Sequence, residues 1–96
     1  PNDASINFNL GVIEGQVGNI DNAIVALENT IRLNPDYGDA RYALGLFYNQ
    51  KALDANGKVV DRSYIEKAKE QMTYILQRIN ANNTSAKETL KQLEGK

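Results

Sequence analysis

The chain has no cysteine, no histidine and no tryptophan. Without cysteine, no disulfide or thiolate metal site can staple so small a domain, and 96 residues lie near the lower limit for a self-sufficient core. Without histidine as well, the commonest general base, the softest nucleophile and nearly all transition-metal chemistry are missing together. Catalysis is therefore not expected, and neither is a metal or any other cofactor. An excess of one charge is absent too: 11 basic and 12 acidic side chains leave a net charge of -1, with a pI near 5.3. A nucleic-acid partner calls for a concentrated basic face and is not expected here. The charge is mildly divided, with two basic and six acidic groups up to residue 50 and nine and six after it. No apolar run approaches the roughly 20 residues of a membrane span, so direct membrane insertion by this segment is not expected.

What the chain does have is a register. Leu10-Gly11 recurs as Leu44-Gly45, Phe8 as Tyr42, Val12 as Leu46 and Pro1 as Pro35, each pair 34 residues apart. A period of this length marks paired helices that cannot bury their apolar faces alone and must stack on a neighbour. Pro1 stands one period before Pro35, as expected of a segment cut at a repeat boundary from a longer protein.

Local signals divide the chain into five helices. Ile6, Leu10, Ile13 and Val17 form an apolar stripe over residues 4–17 that ends at Gly18-Asn19. Asn19 is placed to cap a second helix carrying Ala23, Ile24, Leu27, Ile31 and Leu33, stopped by Asn34-Pro35. A third helix starts near Asp36 with Ala40, Leu44, Phe47 and Tyr48, and the Asn56-Gly57 turn follows it. Ser63 with Glu66, and Ser85 with Glu88, read as capping boxes opening the fourth and fifth helices. Inward residues are Ile65, Ala68, Met72, Ile75, Leu76 and Ile79 on the fourth helix, then Ala86, Leu90 and Leu93 on the fifth. Lys87, Lys91 and Glu94 remain for water, the division a terminal cap needs.

The pattern Asn7, Leu10-Gly11, Glu14, Ala23, Leu27, Pro35, followed by Arg41, Leu44-Gly45, Tyr48, Ala68, Met72, Asn80, resembles the tetratricopeptide repeat family. Asn7 and Arg41 depart from its bulky first position, Glu14 from its tyrosine and Asn80 from its proline. The resemblance implies an all-α, right-handed helix-turn-helix solenoid. It would hold one repeat over about 3–35, a second over about 36–81 and a capping helix over about 84–94. Leu10 to Ala23 spans 13 residues but Leu44 to Ala68 spans 24, so the second repeat carries an insertion near residues 51–61. Asp54, Asn56 and Gly57 look like the middle of a calcium loop, but Ala52 and Ser63 stand at its first and last ligand positions, so a plain turn with Val59 and Val60 folded down is expected.

The resemblance further implies that the first helix of each repeat lines a concave groove for a protein or peptide partner. The matching positions are Ser5, Phe8, Val12, Gly15 and Gln16 on the first helix and Asp39, Tyr42, Leu46, Asn49 and Gln50 on the third, with Phe8, Val12, Gln16, Tyr42, Leu46, Asn49 and Gln50 expected to meet the partner. Phe8 and Val12 lie four apart, as do Tyr42 and Leu46, so each pair shares a helix face, forming an apolar strip edged by amides. Phe8, Val12, Ala43, Glu88 and Gln92 stand where a clamp for acidic tails would need cationic groups. The expected function is thus a protein-interaction scaffold and not an enzyme. The alternative is a structural or assembly tail of a larger bacterial membrane enzyme such as a glycan polymerase or ligase, with no ligand of its own.

Overall fold

The structure, a computed structural model, describes residues 3–96; Pro1 lies outside the described residues. It is all-helical: α1 (Ala4–Gln16), α2 (Ile20–Leu33), α3 (Gly38–Ala52), α4 (Arg62–Tyr74), a π-helical continuation of α4 (Ile75–Ile79) and α5 (Thr84–Glu94). Packing follows chain order: α1 lies on α2, α2 on α3, α3 on α4 and α4 on α5.

Two glycines explain the closeness of the helix pairs. A Cβ on Gly11 would lie 2.8 Å from Leu27 Cγ and 3.3 Å from the Ala23 carbonyl oxygen, and one on Gly45 would lie 2.5 Å from Met72 Cε and 3.5 Å from the Ala68 oxygen. The α1–α2 contact is thus repeated between α3 and α4 with Gly, Ala and a large apolar side chain in the same roles. Leu27, Leu44, Ile65, Met72, Ile75 and Leu93 are fully buried and carry the core. Burying each such side chain contributes about 1.5–3 kcal/mol.

Helix starts differ from the expected capping boxes. Asp61 caps α4 by accepting from the Ser63 amide, and Asn83 caps α5 by accepting from the Ala86 amide at 2.9 Å. A side-chain acceptor two or three residues ahead of the free amides reaches them without a glutamate. Asn19 precedes α2 but makes no cap bond; its Nδ2 donates to Glu14 Oε2 at 2.9 Å. Gly18 joins α1 to α2 with φ +87, a left-handed geometry that favours glycine.

The largest correction concerns α1. Ile6, Leu10, Ile13 and Val17 are exposed, while Asn7 and Gly11 face the core. Helical spacing identifies an apolar face, but a face is buried only where another element covers it. Ile79 is likewise more exposed than its place in the fourth-helix stripe implied.

The π-helical segment is an extra residue. Leu27 precedes Leu44 by 17 positions, whereas Met72 precedes the corresponding Leu90 by 18. The surplus is absorbed where the Asn80 amide donates to the Ile75 carbonyl, five residues back, in place of the four-residue bond from Asn34 to Thr30. Asn34 and Asn80 then open the same turn: each side-chain oxygen accepts from the amide two residues on, at 3.3 and 2.9 Å. Asn80 is thus the counterpart of Asn34, and Ala81 stands where Pro35 does, which corrects the match of Asn80 to that proline.

Residues 53–61 form a tight excursion pinned by an antiparallel bridge between Leu53 and Val59. Asp54 Oδ1 accepts from the Asn56 and Lys58 amides, both at 2.9 Å, and Gly57 takes φ +79. Val59 packs against the core; Val60 points to solvent.

Candidate partner-binding groove

The first helices of the two pairs, α1 and α3, touch where the Phe47 ring rests on Gly15. A Cβ on Gly15 would sit 2.2 Å from Phe47 Cζ, so a larger residue there would have to push the ring aside. Phe8 stacks on Tyr37, just before α3, with ring centroids 5.0 Å apart. One helix pair later, Tyr42 of α3 likewise reaches the next element: its hydroxyl lies 3.3 Å from Thr89 Oγ1 on α5.

Phe8 and Tyr42 are thus half-buried, packed against the core and joining successive first helices. Val12 is half-buried as well, Leu46 is 41% exposed, and Gln16 and Gln50 are open to solvent at the helix ends. Asn49, one turn beyond Leu46, has its side-chain oxygen buried with no hydrogen-bond partner among the described residues. An unmet buried acceptor costs about 1–3 kcal/mol, which a donor reaching it would recover. Tyr42 also lines a cleft of about 300 Å³ with Gly38, Asp39, Ile75, Ile79 and Asn80. Its lining mixes apolar Ile75 and Ile79 with polar Asp39 and Asn80, a composition suited to holding a side chain and orienting it.

A second cluster was not foreseen from sequence. Arg41 donates from Nε to the Pro35 carbonyl at 2.9 Å and from a terminal nitrogen to Gln71 Oε1 at 3.0 Å, while its guanidinium lies 3.6 Å from the Tyr74 ring centroid. Tyr74 in turn donates to Asp36 Oδ1 at 2.7 Å. Arg41 therefore fills the space between α3 and α4. Its 34-residue offset from Asn7 was the available signal. Nearby, the Tyr48 hydroxyl donates to Glu28 Oε2 at 2.5 Å, and burial, with that carboxylate, pushes its pKa up. Lys51 pairs with Asp21, which raises the lysine pKa.

No helix among the described residues is long and apolar enough to cross a membrane. Compared with protein-family models, characterised proteins and solved structures, the chain matched none.

Proposed function

We propose that the chain is a non-catalytic protein-interaction scaffold of tetratricopeptide-repeat type: a right-handed solenoid of two helix pairs closed by α5, holding a partner segment along α1 and α3. The observation that carries this reading is the duplicated contact, Gly11 on Ala23 and Leu27, then Gly45 on Ala68 and Met72. It gives the two first helices equivalent outward faces one period apart, the arrangement that builds extended binding surfaces in repeat proteins. Val12 and Leu46 supply apolar contact, Phe8 and Tyr42 support them from between the helices, and Gln16, Asn49 and Gln50 offer amides to a partner backbone. The terminal role of α5 is supported by its division into buried Ala86 and Leu93 and exposed Lys87, Lys91 and Glu94.

The test separates binding from folding. Leu46→Asp alters an exposed side chain and should leave the melting temperature nearly unchanged. Affinity capture with the native chain, repeated with Leu46→Asp and Gln50→Ala, should lose the native chain's partner. Identical capture by all three refutes the groove.

A further inference from the structure

The connection from α4 to α5 repeats the one from α2 to α3, with an aromatic ring missing. Asn34 and Asn80 open the same turn, so the residue three positions on is Tyr37 in the first connection and Asn83 in the second. Tyr37 packs against the core and stacks on Phe8. The counterpart of Phe8 is Tyr42, but Asn83 brings it no ring and turns its own Oδ1 to the Ala86 amide. At this place lies the cleft of about 300 Å³ that Tyr42 and Asn83 line together with Ile75, Ile79, Asp39 and Asn80. Its opening is traced to Asn83, a residue inside the chain, and Ile79 beside it is 37% exposed.

The polar groups of the cleft define the ring that would fill it. Asp39, in the first turn of α3, is exposed, and its carboxylate has no hydrogen-bond or ion-pair partner among the described residues. At the matching position of α1, Ser5 is already bonded to Asp3. The side-chain oxygens of Asn80 and Asn83 accept from the Asn82 and Ala86 amides, both at 2.9 Å, which leaves each Nδ2 group to donate. A charged acceptor and two amide donors thus stand beside Ile75, Ile79 and the Tyr42 ring. A phenol suits all of them: its ring covers the aliphatic side chains and stacks on Tyr42, its hydroxyl donates to the carboxylate and its oxygen accepts from an amide. Tryptophan donates but accepts nothing, lysine brings no ring, and an anionic side chain is repelled by Asp39.

We propose that this cleft binds a tyrosine side chain of the partner segment, seated against Tyr42 as Tyr37 is seated against Phe8. The assignment of that tyrosine to a segment lying along α1 and α3 rests on the groove reading; the cleft itself does not. Tyr42 joins the two, because it lines the cleft and Leu46 follows it one turn along the same helix face.

N-acetyl-tyrosinamide serves as the probe for the intact chain, followed by NMR of the backbone amides. Saturable shifts are expected at Gly38, Ile79 and Asn80, with a Kd of about 1 mM for so small a ligand. N-acetyl-leucinamide and N-acetyl-phosphotyrosinamide should bind about tenfold more weakly, and Asp39→Asn should remove the discrimination against the phosphate. Asn83→Tyr, which supplies the missing ring, should abolish binding of the probe. Because Asn83 also caps α5, Ile79→Ser is the second variant: it alters an exposed side chain, should weaken the probe about tenfold and should leave the amides of α1 and α2 unmoved. Leu46→Asp should have no effect on the probe. Absence of saturable shifts, or shifts indifferent to both Ile79→Ser and Asp39→Asn, overturns the proposal even where capture of a partner depends on Leu46. Saturable shifts at the cleft, with capture indifferent to Leu46→Asp, remove the groove and leave the tyrosine site standing.

Discussion

Leu10 and Leu44 occupy the same position of the repeat and differ in one respect: Leu44 is 0% exposed and Leu10 is 45% exposed. Truncating each to alanine compares one chemical change in two environments. At Leu44 the loss combines the transfer energy of the removed carbons with a cavity that close-packed neighbours cannot fill, about 2–5 kcal/mol. At Leu10 nearly half of the side chain is already hydrated and water occupies the vacated space. The cost there is about half of the roughly 1.5–3 kcal/mol for complete burial, near 1 kcal/mol. Because 1 kcal/mol shifts the midpoint of a domain this size by about 4–8 °C, Leu44→Ala should lower it by about 10 °C or more and Leu10→Ala by only a few degrees. Urea titrations followed by circular dichroism measure both, with an unchanged slope as the check on two-state behaviour. Equal losses at the two sites would refute the reasoning, since Leu10 would then be as buried in solution as Leu44.

Gly15→Ala places a methyl against the Phe47 ring, and displacing the ring should outweigh the roughly 0.5–1 kcal/mol that alanine gains in a helix, for a net loss of about 1 kcal/mol measured by the same titration. Tyr48 ionises less readily folded than unfolded, so its contribution is complete below its ordinary pKa of about 10 and falls away as pH rises above it; Lys51, also raised, acts in the same alkaline window. Tyr48→Phe should therefore flatten the loss of stability above about pH 10, while removing about 1 kcal/mol of hydrogen bonding at neutral pH, and a midpoint series across pH reads both. Deleting Gln77, which is exposed within the π-helical segment, should restore the four-residue bonding of α2 and change stability by less than about 1 kcal/mol. A large drop in helicity on deletion would show that the extra residue is needed to seat α5.

Much of the helical framework was legible because its causes are local or periodic. Gly18 and the Asn56-Gly57 turn break helices through their own backbone preferences, and the Ala23–Leu27 and Ala68–Met72 stripes follow from residues three and four apart sharing a face. The positions of Gly11 and Gly45 in the register also announced a close approach, which the contacts with Leu27 and Met72 bear out. The candidate groove residues could be assigned to helix faces in the same way. That Phe8 leans on Tyr37 and Tyr42 reaches Thr89, leaving Leu46 as the most open of the apolar four, depended on where the next helix lies.

Capping was only half legible, because Ser63 and Ser85 satisfy a sequence pattern while Asp61 and Asn83 sit in the geometry that reaches the free amides. The π-helical residue was hidden as well, since a single insertion shifts a hydrophobic stripe too little to notice until α5 fixes both ends. The sequence by itself determined how many helices form and which residues share each helical face, because those are properties of neighbouring residues along one chain. Tertiary structure alone decided that Leu44 is interior and Leu10 is not: two leucines at the same position of the repeat differ in that α2 lies over Leu44, whereas the described residues leave Leu10 half open.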